Sequence, residues 1–174
     1  MKIFTILLLL LVLSLNSLYA ASSQDDVKVA IIGKLSKFIK WNTNSNNQNF
    51  IITVLGDDTF KELLDKKYNG LQINSKNVVV TQLQSIDKLK EADILYIGDI
   101  AHEEQYKFIQ HSKNNSILSI SQEKGFAQRG GVIQLYFVSQ KLKLKINHQS
   151  SLESNLKINA ALLSIATIVK SEPQ

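Results

Sequence analysis

The sequence predicts an α/β fold. It is a single domain with a mostly parallel sheet, flanking helices, a closing antiparallel hairpin and a buried C-terminal helix. Three observations predict it. Short apolar runs alternate with amphipathic stretches between Phe50 and Ser121, the pattern of successive strand-helix-strand units that build a parallel sheet. A glycine-rich segment, Gly125 to Gly131, then opens into strict alternation, with Val132, Leu142, Leu144 and Ile146 able to face one way and Lys141, Lys143 and Lys145 the other. The stretch Ala160 to Val169 is apolar nearly all round, which predicts a buried helix over Ser151 to Lys170.

Each element has a local reason. Met1-Lys2 is followed by an apolar run from Ile3 to Leu15 and by small residues at Ala20-Ala21-Ser22-Ser23. The run is short for a membrane span of about 20 residues and reads as a secretory signal peptide over residues 1–20. The α/β domain is expected over residues 25–170. Asp25 to Trp41 has helical spacing, with Val27, Ile31, Leu35, Phe38 and Ile39 on one stripe and Asp25 and Asp26 at the positive end of the helix dipole. Asn42 to Asn49 is polar and asparagine-rich, a loop. Phe50 to Leu55 suits a buried strand. Thr59-x-x-Glu62 reads as a capping box for a helix to about Lys67, with Asp58 helping to cap it.

Asn69-Gly70 marks a turn before a strand at Val78 to Leu83. Ser85 can cap a short helix through Glu91. Ala92 to Ile97 is the next strand, and Asp99 can cap a helix over His102 to Ser112 with Tyr106, Phe108 and Ile109 inward. Ile117 to Ser121 completes the series. Gly130-Gly131 permits positive φ in the turn that follows.

Composition narrows the function. The chain has 174 residues, 44% hydrophobic and 20% charged, with a formal charge of +5 carried by lysines and one arginine, Arg129. The lysines are scattered rather than clustered, so no nucleic acid is expected as a partner. Without cysteine there is no disulfide, thiolate metal site or cysteine nucleophile. His102 and His111 lie nine residues apart, on opposite faces of one helix, which does not suit a shared metal. Asp57, Asp58 and Asp99 follow strands and could face a cation at the strand ends, but helix capping explains them without one. The glycine segment lacks the Gly-Lys-Ser/Thr ending of a phosphate loop, and no Gly-x-Ser-x-Gly elbow is present. No catalytic set, metal or cofactor is expected.

Gly125-Phe126-Ala127-Gln128-Arg129-Gly130-Gly131-Val132-Ile133, with the strand ending Ile146-Asn147, resembles the signature of the YfiR-like family of periplasmic regulators. The resemblance runs from about Val27 to Val169. It includes an aromatic-x-x-Trp ending at Trp41, the strand-turn-helix Ile51 to Phe60, and the segment Asn155 to Ala166. Asn42 stands where the family usually has proline, Asn159 and Ala160 replace serines, and the cysteines of many members are missing. The resemblance implies a non-enzymatic regulator that binds the periplasmic domain of an inner-membrane sensor and represses it. That sensor would be a diguanylate cyclase, or alternatively a histidine kinase. A homodimer is a further option, and a periplasmic small-ligand-binding protein is the competing reading. Phe126 and Arg129, in a loop on a rigid scaffold, are the first candidates for partner contact, with Trp41 the third. Phe126 as a plug of the sheet end is an equally good reading, and Trp41 also suits a core position. Gly125, Gly130 and Gly131 are expected to shape the turn.

Overall fold

Strands run where branched and aromatic residues cluster, and the sheet they form sets the position of everything else. The computed structural model describes residues 24–41, 48–89 and 91–172. The expected signal peptide and most of the asparagine-rich loop lie outside them. Helix α1 spans residues 24–35. It is followed by a 3-10 turn at Ser36–Phe38 and strand β1 at Ile39–Trp41. Then come β2 (Asn49–Leu55), α2 (Asp58–Tyr68), β3 (Gln72–Ile73), β4 (Lys76–Leu83), β5 (Ile94–Ile97), α3 (His102–Asn114) and β6 (Leu118–Ser121). The hairpin strands are β7 (Ile133–Val138) and β8 (Lys141–Asn147), and α4 (His148–Glu153), β9 (Leu156–Ile158), α5 (Ala160–Ile165) and β10 (Thr167–Val169) close the chain.

The main sheet has the order β10-β8-β7-β6-β5-β2-β4-β3. Its centre is parallel, from β4 through β2, β5 and β6 to β7. The hairpin pairs β7 and β8 antiparallel, from Ile133 opposite Ile146 to Val138 opposite Lys141. All four residues of β5 are buried, as expected of a strand covered on both faces. Ile94 and Tyr96 face one core with Val29, Ile32 and Leu35 of α1 and Phe60 and Leu64 of α2. Leu95 and Ile97 face a smaller core with Phe108 and Ile109 of α3 and with Phe126. The fold class is the expected α/β domain with flanking helices and a closing hairpin.

Several local expectations are corrected. The first helix stops at residue 35, and Ile39–Trp41 pairs instead with β9 in a separate two-stranded antiparallel sheet. The buried stripe of α1 is Val29, Ile32 and Leu35, whereas Val27 and Phe38 are exposed. Helix α2 starts earlier than the capping box implied. Asp57 is its cap, accepting from the Phe60 N–H at 2.9 Å, and Asp58 instead accepts from Gln82 Nε2 at 2.7 Å. Between β4 and β5 the expected helix is a single 3-10 turn at Ile86–Lys88 with no side-chain cap. On α3, Phe108 and Ile109 are buried but Tyr106 is 40% exposed. The helix is preceded by Ala101 rather than capped by Asp99.

The largest departure is the C-terminal segment, which is not one buried helix. Asn155 adopts φ +53, which terminates α4, and the Asn159 side chain accepts from Ala161 N–H to start α5. Between them Leu156 and Ile158 are buried by pairing with β1. Helix α5 buries only Leu162 and leaves Ile165 74% exposed. The β-branched run Thr167-Ile168-Val169 then pairs parallel with β8 at the sheet edge.

Candidate functional site

The glycine segment is a tightly hydrogen-bonded coil laid along α3. Phe126 N–H donates to Glu123 O, Arg129 N–H to Gly125 O, and Gly131 N–H back to Phe126 O at 3.0 Å. Phe126 is fully buried in the smaller core, so it is a core residue and no partner can reach it. Its ring lies where a Cβ on Gly131 would stand. Only Gly125 (φ +82) and Gly130 (φ +101) use positive φ; Gly131 is needed for close approach, not for its backbone angle.

Arg129 is half-buried and tied inward. Its Nε and Nη2 both donate to Gln105 Oε1, at 2.9 and 2.7 Å, and Nη1 donates to Lys124 O at 2.9 Å. Burial pulls its pKa below the usual guanidinium value, with Glu123 and Glu172 opposing. A Cβ on Gly125 would meet Nη1 at 2.7 Å, so this glycine makes room for the guanidinium.

Trp41 is half-buried at the other end of β5. Its Nε1 donates to Asp93 O at 3.1 Å, and its ring stands edge-on to Phe50 with centroids 5.6 Å apart. Asp93 is a junction there. Its carboxylate accepts from Ile51 N–H at 2.8 Å and its carbonyl also accepts from Leu118 N–H. Burial pushes the Asp93 carboxyl up, against that backbone hydrogen bond. The three candidate contact residues are therefore not one patch.

Asn147 is a junction that the motif reading did not assign. Fully buried, it donates from Nδ2 to Ala127 O at 2.8 Å and caps α4 by accepting from Ser150 N–H at 3.0 Å. One side chain thus binds the glycine segment, the end of β8 and the following helix. The strand ending Ile146-Asn147 was the available signal.

Near the carboxyl ends of the strands, where open α/β sheets usually take ligands, side chains of α1 and α2 pack against the sheet. Lys28 of α1 is buried there, paired with Asp25 at 2.6 Å, donating to Gln122 at 2.7 Å and standing 5.2 Å over the Phe60 ring. Tyr96 packs on Phe60 with centroids 4.1 Å apart. Burial, and then the charges of Asp57, Asp25 and Glu123, raise the Tyr96 pKa. Among the described residues no group of three or more His, Cys, Asp or Glu could hold a metal ion, and no helix is long and apolar enough to cross a membrane.

Two concave surfaces adjoin these residues. One is a groove of about 710 Å³ between the 3-10 turn, β1, α4 and the β9–α5 segment. Phe38 (39% exposed) and Leu152 (51% exposed) supply apolar surface, and Lys37, Lys40 and Lys157 are exposed around it. The other, about 300 Å³, lies at the start of α3 beside Arg129. No curated protein matches the chain. The model of the YfiR/HmsC-like family matches residues 25–167, most of the chain. With the glycine segment folded around Phe126 and Asn147 binding it to the hairpin, the chain belongs to the YfiR/HmsC-like family.

Proposed function

We propose that this protein is a periplasmic regulator of cyclic-di-GMP signalling, delivered by a cleaved signal peptide over residues 1–20. It binds the periplasmic domain of an inner-membrane diguanylate cyclase and represses it. Family membership supports the periplasmic, regulatory and non-catalytic character. Repression follows if the regulator binds the inactive conformation of the sensor better and shifts its population.

The observation that carries the docking part is the lysine-rimmed groove. Exposed apolar side chains within a cationic rim are the composition of an interaction surface, and the +5 charge of the chain favours an acidic partner face. Trp41 adjoins this groove in sequence, with its indole N–H used internally on Asp93 O and its half-exposed ring a further candidate contact.

The test is calorimetric titration of the purified protein with the periplasmic domain of an inner-membrane diguanylate cyclase from the same cell. The variants are a triple K37E/K40E/K157E and Leu152→Glu, with K66E/K67E on α2 as a charge control. The groove variants should weaken binding at least tenfold, about 1.4 kcal/mol. They should leave Tm nearly unchanged, because the altered side chains are exposed. Unchanged affinity in both groove variants would remove the groove from the interface, and absence of binding by the unaltered protein would remove the sensor.

A further inference from the structure

Arg129 is a half-buried cation with no direct ion pair; Glu123 and Glu172 act on it only from beyond contact distance. Among the described residues no acid lies within ion-pair distance of it; its partners are the neutral Gln105 amide oxygen and the Lys124 carbonyl. A guanidinium has five N–H donors, and three are used here, leaving two. A partly desolvated guanidinium with unused donors gains from an anion that bonds it directly, because charge-assisted hydrogen bonds are the stronger ones.

A second group points the same way. Gln105 is fully buried, its Oε1 is occupied by Arg129, and its Nε2 has no acceptor. The orientation of this amide is set by the two guanidinium bonds, so the orphan is a donor. A third contribution is the start of α3. Ala101 precedes this 13-residue helix and offers no side-chain cap, so the first-turn N–H groups lack a side-chain acceptor. All three border one cavity of about 300 Å³, whose other walls are His102, Tyr106 and Ile109. Glu103 also borders it, but its carboxylate is 89% exposed and loosely paired with Lys107 at 3.8 Å, so it does not neutralise Arg129.

We propose that this cavity is a binding site for a small oxyanion, the carboxylate or phosphate group of a soluble ligand. The anion would be held by the free guanidinium N–H groups, Gln105 Nε2 and the amino end of α3. Helix dipole and guanidinium then act on the same negative charge. The Tyr106 ring, 40% exposed, gives the body of the ligand an apolar wall. Gly125 acquires a reason within this site, since a side chain there would displace the guanidinium.

The experiment uses the purified protein in chloride buffer at fixed ionic strength. Inorganic phosphate and acetate are titrated separately, with melting temperature and the Gln105 side-chain amide resonances as readouts. At least one anion should raise Tm saturably and shift those resonances. Phosphate alone doing so names a phosphate ligand, acetate alone a carboxylate. Affinity should fall at least tenfold in Arg129→Gln and in His102→Asp. The second variant is included because His102 is exposed, so its substitution leaves the packing intact while placing a negative charge at the mouth. Neither anion acting on the unaltered protein, or equal affinity in His102→Asp, would overturn the proposal. Neither result bears on sensor binding through the groove.

Discussion

Gly131→Ala tests the role of the glycine segment directly. The residue is not in the left-handed region, so alanine meets no backbone penalty and the whole effect is steric. The added methyl would lie inside the contact radius of the Phe126 ring. That ring is fully buried among side chains of the smaller core, including Leu95, Ile97, Phe108 and Ile109, and has no open space to swing into. Overpacking of a closed core costs about 1–3 kcal/mol, and an enclosed ring puts this case near the top of that range. At about 2–4 °C per kcal/mol for a domain of this size, Tm should fall by about 6–12 °C.

Phe126→Leu gives the control. Alone it removes packing and costs about 1–2 kcal/mol. Combined with Gly131→Ala it vacates the space the methyl needs, so the double variant should be more stable than additivity predicts by at least about 1 kcal/mol. Gly70→Ala separates steric from backbone effects. Gly70 has φ +73, and a methyl added there would find no atom within 4 Å, so only the backbone cost of about 1 kcal/mol applies. Urea denaturation of the four variants measures all of this. A Gly131→Ala protein within about 0.5 kcal/mol of the parent, or strict additivity in the double variant, would refute the reasoning.

Two further outcomes follow from side-chain pairs. Lys113 Nζ donates to Glu153 at 2.8 Å and holds its carboxyl below the usual range, helped by Gln149. A depressed folded pKa contributes stability above the unfolded value of about 4.3, lost as pH falls through the folded pKa. Glu153 is 43% exposed, so the effect is under about 1 kcal/mol: Glu153→Gln should lower the urea midpoint at pH 7, and the difference should close in acid, whereas a constant difference would contradict the pairing. Trp41→Phe retains the edge contact with Phe50 but loses the indole bond to Asp93 O, which should cost about 1 kcal/mol; an unchanged midpoint would show that this bond contributes nothing.

The sequence by itself determined the strand-helix alternation, the hairpin and the turn-forming glycines, because these rest on local periodicity and backbone preference. The run at β5 is apolar on both sides and short, which suits a covered strand, and Val132 to Asn147 carries its alternation openly. Tertiary structure decided what periodicity could not express. Ile39–Trp41 and Leu156–Ile158 each look like part of a helix alone, but they lie far apart in the chain and become strands by pairing with each other. Phe126 and Arg129, three residues apart in one loop, went to opposite fates: the ring into the core, and the guanidinium to the border of a cavity. Their spacing carries no information about which neighbour each will meet. Only the packing of α3 against that loop supplies Gln105, and with it an amide oxygen for the cation, and so separates a structural aromatic from an available charge.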